Sequence, residues 1–269
     1  MAIAELAEEV AREHAPRGAV SPAEIAKGQG LTLSFGSYGN AFDGMLECRR
    51  SRFHIYCNLD RVEHPDSPRS RFTLGHELGH FFIDDHRLAL LSGKAPAHPS
   101  RTEYESKNQV EQEADHFAAH LLMPTERFSE TARRTPVGLR GVLSLVNDFR
   151  TSVTSTAIRY AQLDLVPCAV LKWGNDGLAW KWLSTETFAA RYRKTIESTK
   201  QLPTDSPTAM ALRGESPPTI GYFECGTTAA AWFPFVTPGA TENVLFIEQA
   251  IPLGRFGVLT FLYPEAKAF

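Results

Sequence analysis

Three polar side chains at fixed spacing stand out in the first third of the chain. His76, Glu77 and His80 form the pattern His-Glu-x-x-His inside an apolar stretch that also contains Leu74 and Leu78. On a helix, two histidines four residues apart lie one turn above each other, so both imidazoles can bind one zinc ion. Glu77 follows the first histidine and can take a proton from a zinc-bound water. The spacing therefore predicts a helical zinc site with Glu77 as the general base.

A catalytic zinc needs a third protein ligand, and a second predicted helix supplies the candidates. Glu111 and Asp115 are four residues apart and share one face of that helix. We assign Glu111 as the third zinc ligand. We expect Asp115 to accept the free ring N–H of His76 or His80, which would fix the tautomer of that histidine. Glu113 points about 200° away around the helix and is the weaker choice. The alternative to a metal site is a chance pair of histidines satisfied within the core.

Small residues allow these two predicted helices to approach closely. Ala114, Ala118 and Ala119 lie on the second helix, and Gly75 and Gly79 lie on the first. We therefore expect the second helix to pack on the glycine side of the first, which would bring the third ligand to the histidines.

The two motif blocks resemble the ImmA/IrrE family of bacterial and phage zinc peptidases. The blocks are FTLGHELGH at Phe72–His80 and EQEADHFAAHLLMP at Glu111–Pro124. Together they are highly specific, and they cover the N-terminal half of the chain. The resemblance implies a thermolysin-like (gluzincin) arrangement of metal ligands. It also implies a narrow substrate class, helix-turn-helix repressor proteins, and hence a role as a derepression switch in stress response or mobile-element control.

Composition and charge narrow the class of function. The chain has 269 residues, a hydrophobic fraction of 43% and a net charge of −3, so its bulk charge gives no reason to expect nucleic-acid or membrane binding. No apolar run reaches the length of a transmembrane helix, and the acidic N-terminus lacks a signal-peptide pattern. We therefore expect a cytoplasmic protein with no membrane partner. The four scattered cysteines are predicted to be free thiols.

A predicted hairpin precedes the metal helix. Residues 43–48 and 52–59 have the pattern of two strands joined by a turn, and residues 31–35 that of an earlier strand. An exposed edge of this hairpin could bind an extended peptide by strand addition, which would place a substrate carbonyl beside the zinc. A purely structural hairpin is an equal alternative.

The metal helix itself is expected to begin near Ser70 and to end around residues 84–86. Asp85 and His86 could extend the site, but we interpret them as solvent-facing residues at the helix end.

We predict an α+β fold in three parts. Residues 1–124 form a zincin-like metallopeptidase domain with a small sheet and helices. Residues 125–165 form a helical, helix-turn-helix-like segment, and residues 166–269 a C-terminal, β-rich α+β domain, for which the family resemblance suggests a sensor-like (GAF-type) role. The two helices predicted within residues 137–163 do not show a clustered basic face, so nucleic acid is not favoured as a partner.

The leading interpretation is a zinc-dependent endopeptidase acting on a protein substrate. One alternative is a regulatory binding protein that sequesters a repressor or another partner without proteolysis and has a degenerate or structural metal site. Another is a DNA-binding regulator that uses residues 137–163. Glu77 favours the enzyme, because a structural zinc has no use for a general base. Zinc is the expected cofactor, although the spacing also fits manganese or iron.

Overall fold

The chain divides into two compact units in the computed structural model. The structure describes residues 2–93, 97–100, 108–174, 176–185, 188–190, 192, 202, 204–218, 220–233 and 244–265. The first unit contains Met1–Phe128 and Leu145–Ser152, and the second contains Ser129–Ser144 and Val153–Phe269. Each unit combines helices with one sheet, which confirms the α+β class. The domain limits at residues 124 and 165 stay a prediction.

The first unit is built from a four-stranded sheet and the helices around it. Its elements are α1 (Ile3–His14), α2 (Pro22–Gly28), β1 (Thr32–Gly36), β2 (Gly44–Arg49), β3 (Arg52–Asn58), α3 (Leu59–Val62), α4 (Pro68–Phe82), α5 (Asp84–Leu91), β4 (Ala97–Ser100) and α6 (Gln109–Leu122). The sheet order is β1-β3-β2-β4, with β1 parallel to β3 and the other pairs antiparallel. The three predicted strands are present. The fourth, β4, lies in a segment whose prolines and polar residues give no strand pattern.

Local sequence signals set the limits of the two helices that carry the motif residues. The Ser67 hydroxyl caps α4 by accepting from the Ser70 N–H at 3.1 Å, and a proline occupies the first helical position. The Asn108 side chain caps α6 in the same way. Helix α4 ends at Phe82, before the predicted limit, because Ile83 has extended backbone angles and starts a new helix.

The packing of α4 on α6 confirms that small residues let the two helices approach each other closely. A Cβ built on Gly79 would lie 3.1 Å from the Ala114 Cα and 3.2 Å from the Ala114 carbonyl oxygen. One built on Gly75 would lie 3.3 Å from the Ala118 Cβ. The apolar sides of both helices are buried in the core of this unit, together with β2 and β3, through Leu46, Ile55, Leu74, Leu78, Phe117 and Leu121.

The middle of the chain is helical, as predicted. It contains α7 (Thr125–Ala132), α8 (Leu139–Phe149) and α9 (Val153–Gln162). The boundary between the two compact units falls within α7 and within α8, so these helices contribute residues to both. That α8 and α9 do not bind nucleic acid stays a prediction.

The second unit is organised around a five-stranded antiparallel sheet. Its further elements are β5 (Ala169–Gly174), β6 (Gly177–Leu183), α10 (Pro207–Leu212), β7 (Phe223–Thr228), α11 (Ala229–Trp232), β8 (Leu245–Pro252), a 3₁₀ turn (Gly254–Phe256) and β9 (Val258–Pro264). The sheet order is β6-β5-β9-β8-β7. Its core is rich in aromatic residues, with Phe188, Tyr192, Trp232, Phe233 and Phe246 all nearly inaccessible to solvent. Among the described residues, no helix is long and apolar enough to cross a membrane.

Candidate metal centre

Helices α4 and α6 bring three of the predicted side chains together. The His76 Nε2 and His80 Nε2 atoms are 3.1 Å apart. The Glu111 carboxylate lies 3.4 Å from His76 Nε2 through one oxygen and 3.5 Å from His80 Nε2 through the other. All three side chains are buried. The predicted ligand atoms therefore converge on one point between the helices.

The spacing of these atoms fits a tetrahedral metal site. Zinc binds histidine nitrogen and carboxylate oxygen at about 2.0–2.2 Å, so tetrahedral ligand atoms lie about 3.3–3.6 Å from each other. The two imidazole nitrogens are 3.1 Å apart, and they lie 3.4 and 3.5 Å from different oxygens of the Glu111 carboxylate. Two neutral imidazoles and one carboxylate are also a donor set that zinc prefers, with the fourth position left for water or substrate. The residues present thus fit a catalytic zinc.

The electrostatics around His76 also favour a cation. Its Nδ1 lies 2.7 Å from Asp115 Oδ1, so the structure pairs Asp115 with His76 rather than with His80. Burial alone lowers the pKa of His76, but hydrogen bonds to Asp115 and Glu111 and the charge of Glu77 outweigh it and raise the pKa to about 10. A site that binds a proton this tightly has an excess of negative charge, which a metal cation can neutralise.

The second histidine is supported through a residue that the sequence interpretation missed. His80 Nδ1 lies 3.2 Å from His86 Nδ1, and His86 Nε2 lies 3.0 Å from Glu113 Oε2. His86 is buried, so its interpretation as a solvent-facing residue was wrong, whereas its neighbour Asp85 is exposed. The helix break at Ile83 directs α5 so that His86 meets the site. Glu113, the weaker ligand candidate, takes part through this contact instead of joining the cluster of three.

The predicted general base lies against the start of β2. Glu77 is fully buried, and a Cβ built on Gly44 would lie 2.6 Å from Glu77 Oε1 and 2.5 Å from Thr73 Cγ2. Only glycine therefore leaves room for the carboxylate at this position. Strand β2 therefore borders the site directly, with its backbone next to Glu77, the predicted general base.

Two arginines fix the position of β2 beside Glu77. Asp43, immediately before the strand, is fully buried and forms ion pairs with Arg61 at 2.7 Å and Arg69 at 2.8 Å. Its carbonyl also accepts a hydrogen bond from the Asn58 N–H at 3.0 Å. These contacts hold the start of the strand in place, which keeps Gly44 against the Glu77 carboxylate.

The chain is similar to one family model and to solved structures of other proteins. Residues 63–160 match the family model described as Peptidase_M78, IrrE N-terminal-like domain. A solved structure described as a Mycobacterium tuberculosis transcriptional regulator aligns with a TM-score of 0.59 and 12% sequence identity, covering 99% of this chain and 89% of that chain. No curated protein matches the chain. The matched segment contains His76, Glu77, His80, Glu111 and Asp115, and the family resemblance seen in the sequence is confirmed.

Proposed function

We propose that the protein is a zinc-dependent endopeptidase. The premise is that residues 63–160 match the IrrE N-terminal-like domain of the Peptidase_M78 family. The observation that carries the proposal is the convergence of His76, His80 and Glu111 at tetrahedral spacing with Glu77 beside them. A structural zinc would need a closed shell of four protein ligands. Among the described residues the cluster contains three, and a potential general base accompanies it.

Each residue of the site has a distinct part in peptide hydrolysis. His76, His80 and Glu111 would hold the zinc, which when bound makes water more acidic and polarises the scissile carbonyl. Glu77 takes the proton of the attacking water and then delivers it to the leaving amine. Asp115 accepts the Nδ1–H of His76, so that Nε2 of this histidine faces the metal position.

The substrate class is proposed from the family resemblance and from the description of the structural relative. The family resemblance points to helix-turn-helix repressors, and the structural relative is described as a transcriptional regulator. We therefore propose that the protein cleaves such a repressor and thereby releases the genes that the repressor controls. The alternative, a protein that sequesters a repressor without cutting it, is distinguished by comparing zinc content, repressor cleavage and repressor binding in wild type and Glu77→Gln.

Substitution of the general base separates catalysis from metal binding. We expect Glu77→Gln to retain about one zinc per chain, because Glu77 is not a ligand, and to lose at least about 100-fold in cleavage rate. The measurements are metal content by mass spectrometry and cleavage of a helix-turn-helix repressor encoded beside the gene. Glu126→Gln, at an exposed glutamate of α7, is the matched control and should behave as wild type.

Three outcomes of this experiment are informative. Zinc in both proteins with cleavage by wild type alone supports the peptidase. Zinc in both, with tight repressor binding and no cleavage by either, would favour the sequestering protein. Absence of bound metal from wild type, purified without chelators, would refute the site assignment.

A further inference from the structure

Strand β4 occupies the outer edge of β2, beside the candidate active site. It pairs with β2 in antiparallel register, with Ser100 opposite Gly44 and Ala97 opposite Glu47. The Ser100 carbonyl also accepts a hydrogen bond from the Asp43 N–H at 2.9 Å. Because Gly44 lies against Glu77, a strand paired here runs past the general base at one strand spacing, about 4.8 Å from the Gly44 backbone. This is the edge at which an extended peptide would be presented to the zinc.

The other edge of the hairpin is closed to a peptide. Strand β3 pairs with β2 on one side and with β1 on the other. Among the described strands, the outer edge of β2 is therefore the only hairpin edge at which a further strand can be added, and there β4 pairs with Gly44–Glu47.

Both histidines and the predicted general base are deeply buried in this arrangement, whereas the Glu111 side chain is 12% exposed. His76 and His80 are each 1% exposed and Glu77 is 0% exposed. A scissile carbonyl must come within about 3.5 Å of the reacting groups. An extended peptide that reaches them along β2 needs the edge that β4 occupies, so β4 must leave that edge before the peptide can pair.

Strand β4 is a weak partner for that edge. It has four residues, whereas β2 has six, so Cys48 and Arg49 have no partner residue on β4. Pro99 lacks an N–H, so β4 cannot donate a backbone hydrogen bond at this position. The buried Ser100 hydroxyl has no hydrogen-bond partner among the described residues. A longer peptide without proline could pair along all of β2 and replace it.

We propose that β4 (Ala97–Ser100) occupies the binding position of the substrate strand and must leave β2 before a peptide can bind. This inference rests on the proposed peptidase function and specifies its substrate as an extended segment that adds to β2 in antiparallel orientation. The resident strand keeps the edge of β2 occupied, and a segment with better strand pairing displaces it by competition.

A reversible covalent lock tests the proposal. Met45 and Pro99 face each other across β2 and β4, so Met45→Cys with Pro99→Cys can form a disulfide that ties β4 to its place. The background carries Cys48→Ser and Cys225→Ser, which removes the two partly exposed native thiols. The probe is a peptide hydroxamate, which chelates zinc and extends along a substrate groove, and its affinity for the zinc-loaded protein is measured by calorimetry.

Two controls separate a closed groove from a damaged site. Met45→Cys with Tyr56→Cys ties β2 to β3 and leaves β4 free. Acetohydroxamate binds zinc without using the strand edge, so it reports on the metal alone. We expect the oxidised β4 lock to bind the peptide hydroxamate at least tenfold more weakly than its reduced form. Acetohydroxamate should bind both forms equally, and the β2–β3 lock should show no redox effect.

The outcomes distinguish this inference from the proposed function. Equal affinity of the oxidised and reduced β4 lock for the peptide hydroxamate would overturn the role of β4 and leave the peptidase proposal intact. If no form bound the peptide hydroxamate although each held one zinc, the peptidase proposal would fail, and the inference about β4 with it.

Discussion

At the residue scale, the two candidate histidine ligands are positioned by different means. Asp115 contacts His76 directly, whereas His80 depends on His86, whose other ring nitrogen meets Glu113. If the Nδ1–H of His80 is donated to His86, then His86 must carry its own proton on Nε2, facing Glu113. The carboxylate thus fixes both tautomers in turn and leaves Nε2 of His80 free for the metal.

This chain of contacts predicts that His86 controls zinc affinity without being a ligand. We expect His86→Ala to weaken zinc binding about 10- to 100-fold, as is usual when a residue that orients a ligand is lost. His86→Asn, which restores an acceptor near the Nδ1 position, should recover part of the loss. Zinc affinity is measured by competition with a chromogenic chelator. Asp85→Ala, at the exposed neighbouring position, is the control, and equal affinities of His86→Ala and wild type would contradict the role.

The sequence reveals the direct part of this site and not the indirect part. His76, Glu77 and His80 lie within two turns of one helix, so helical geometry alone relates them. The position of His86 depends on the helix break at Ile83. If the periodicity of α4 were continued through that break, His86 would lie on the helix face that points away from the site. A third histidine six residues after His80 was the available signal. Its direction could not be read without the backbone angles of Ile83.

At the element scale, the position of the third ligand depends on how closely α6 approaches α4. Gly79 meets the backbone of Ala114, three residues after Glu111, while Gly75 meets the side chain of Ala118. A side chain at position 79 would therefore move α6 as a whole, because backbone atoms cannot shift independently. A side chain at position 75 needs only a small local adjustment.

Alanine substitutions at these two glycines should have unequal effects. In both, alanine gains about 1 kcal/mol of helix propensity over glycine. At Gly79 we expect the close contacts with Ala114 to outweigh this gain, so that stability falls by about 1–2 kcal/mol and zinc affinity falls as well. At Gly75 we expect little change in either. The measurements are guanidinium unfolding and zinc release, and a greater loss for Gly75→Ala would contradict this packing order.

The type of each element was predicted correctly where the apolar pattern was strong. The prediction was wrong where the first residues of an apolar run form a helix. Apolar and alternating residues at 168–173 and 178–183 indicate two strands of the predicted β-rich domain, and β5 and β6 match them within one residue. The apolar run at residues 229–236 fits the β-rich pattern predicted for residues 166–269, but its first four residues form helix α11. Thr228 caps this helix, and three alanines favour it. Residues 234–236 lie outside the described part of the chain.

At the scale of the whole molecule, the two units differ in the kind of buried charge that they contain. In the first unit, carboxylates surround a candidate cation site. In the second, Glu248 on β8 is fully buried and accepts hydrogen bonds from the Thr208 N–H and hydroxyl, both at 2.8 Å, and from the Trp232 indole at 2.9 Å. These bonds tie α10 and α11 to the sheet, which makes Glu248 a structural group of this unit.

Glu248 should make the stability of the second unit depend on pH. Burial raises its pKa above the ordinary value of 4.5, and the hydrogen bonds only partly offset this effect. Because the folded state binds the proton more tightly than the unfolded state, the stabilisation is complete below pH 4.5. It is lost as the pH rises through the folded pKa. A tenfold difference in proton affinity between the folded and unfolded states corresponds to about 1.4 kcal/mol of unfolding free energy.

The test compares urea unfolding of wild type and Glu248→Gln between pH 4.5 and 8. All four tryptophans belong to the second unit, so their fluorescence reports its unfolding. Glutamine does not titrate, and the difference between the two proteins isolates Glu248 from the other acids. We expect the unfolding free energy of wild type to fall relative to that of Glu248→Gln as the pH rises. Parallel curves would mean that the hydrogen bonds fully compensate the burial of this carboxylate.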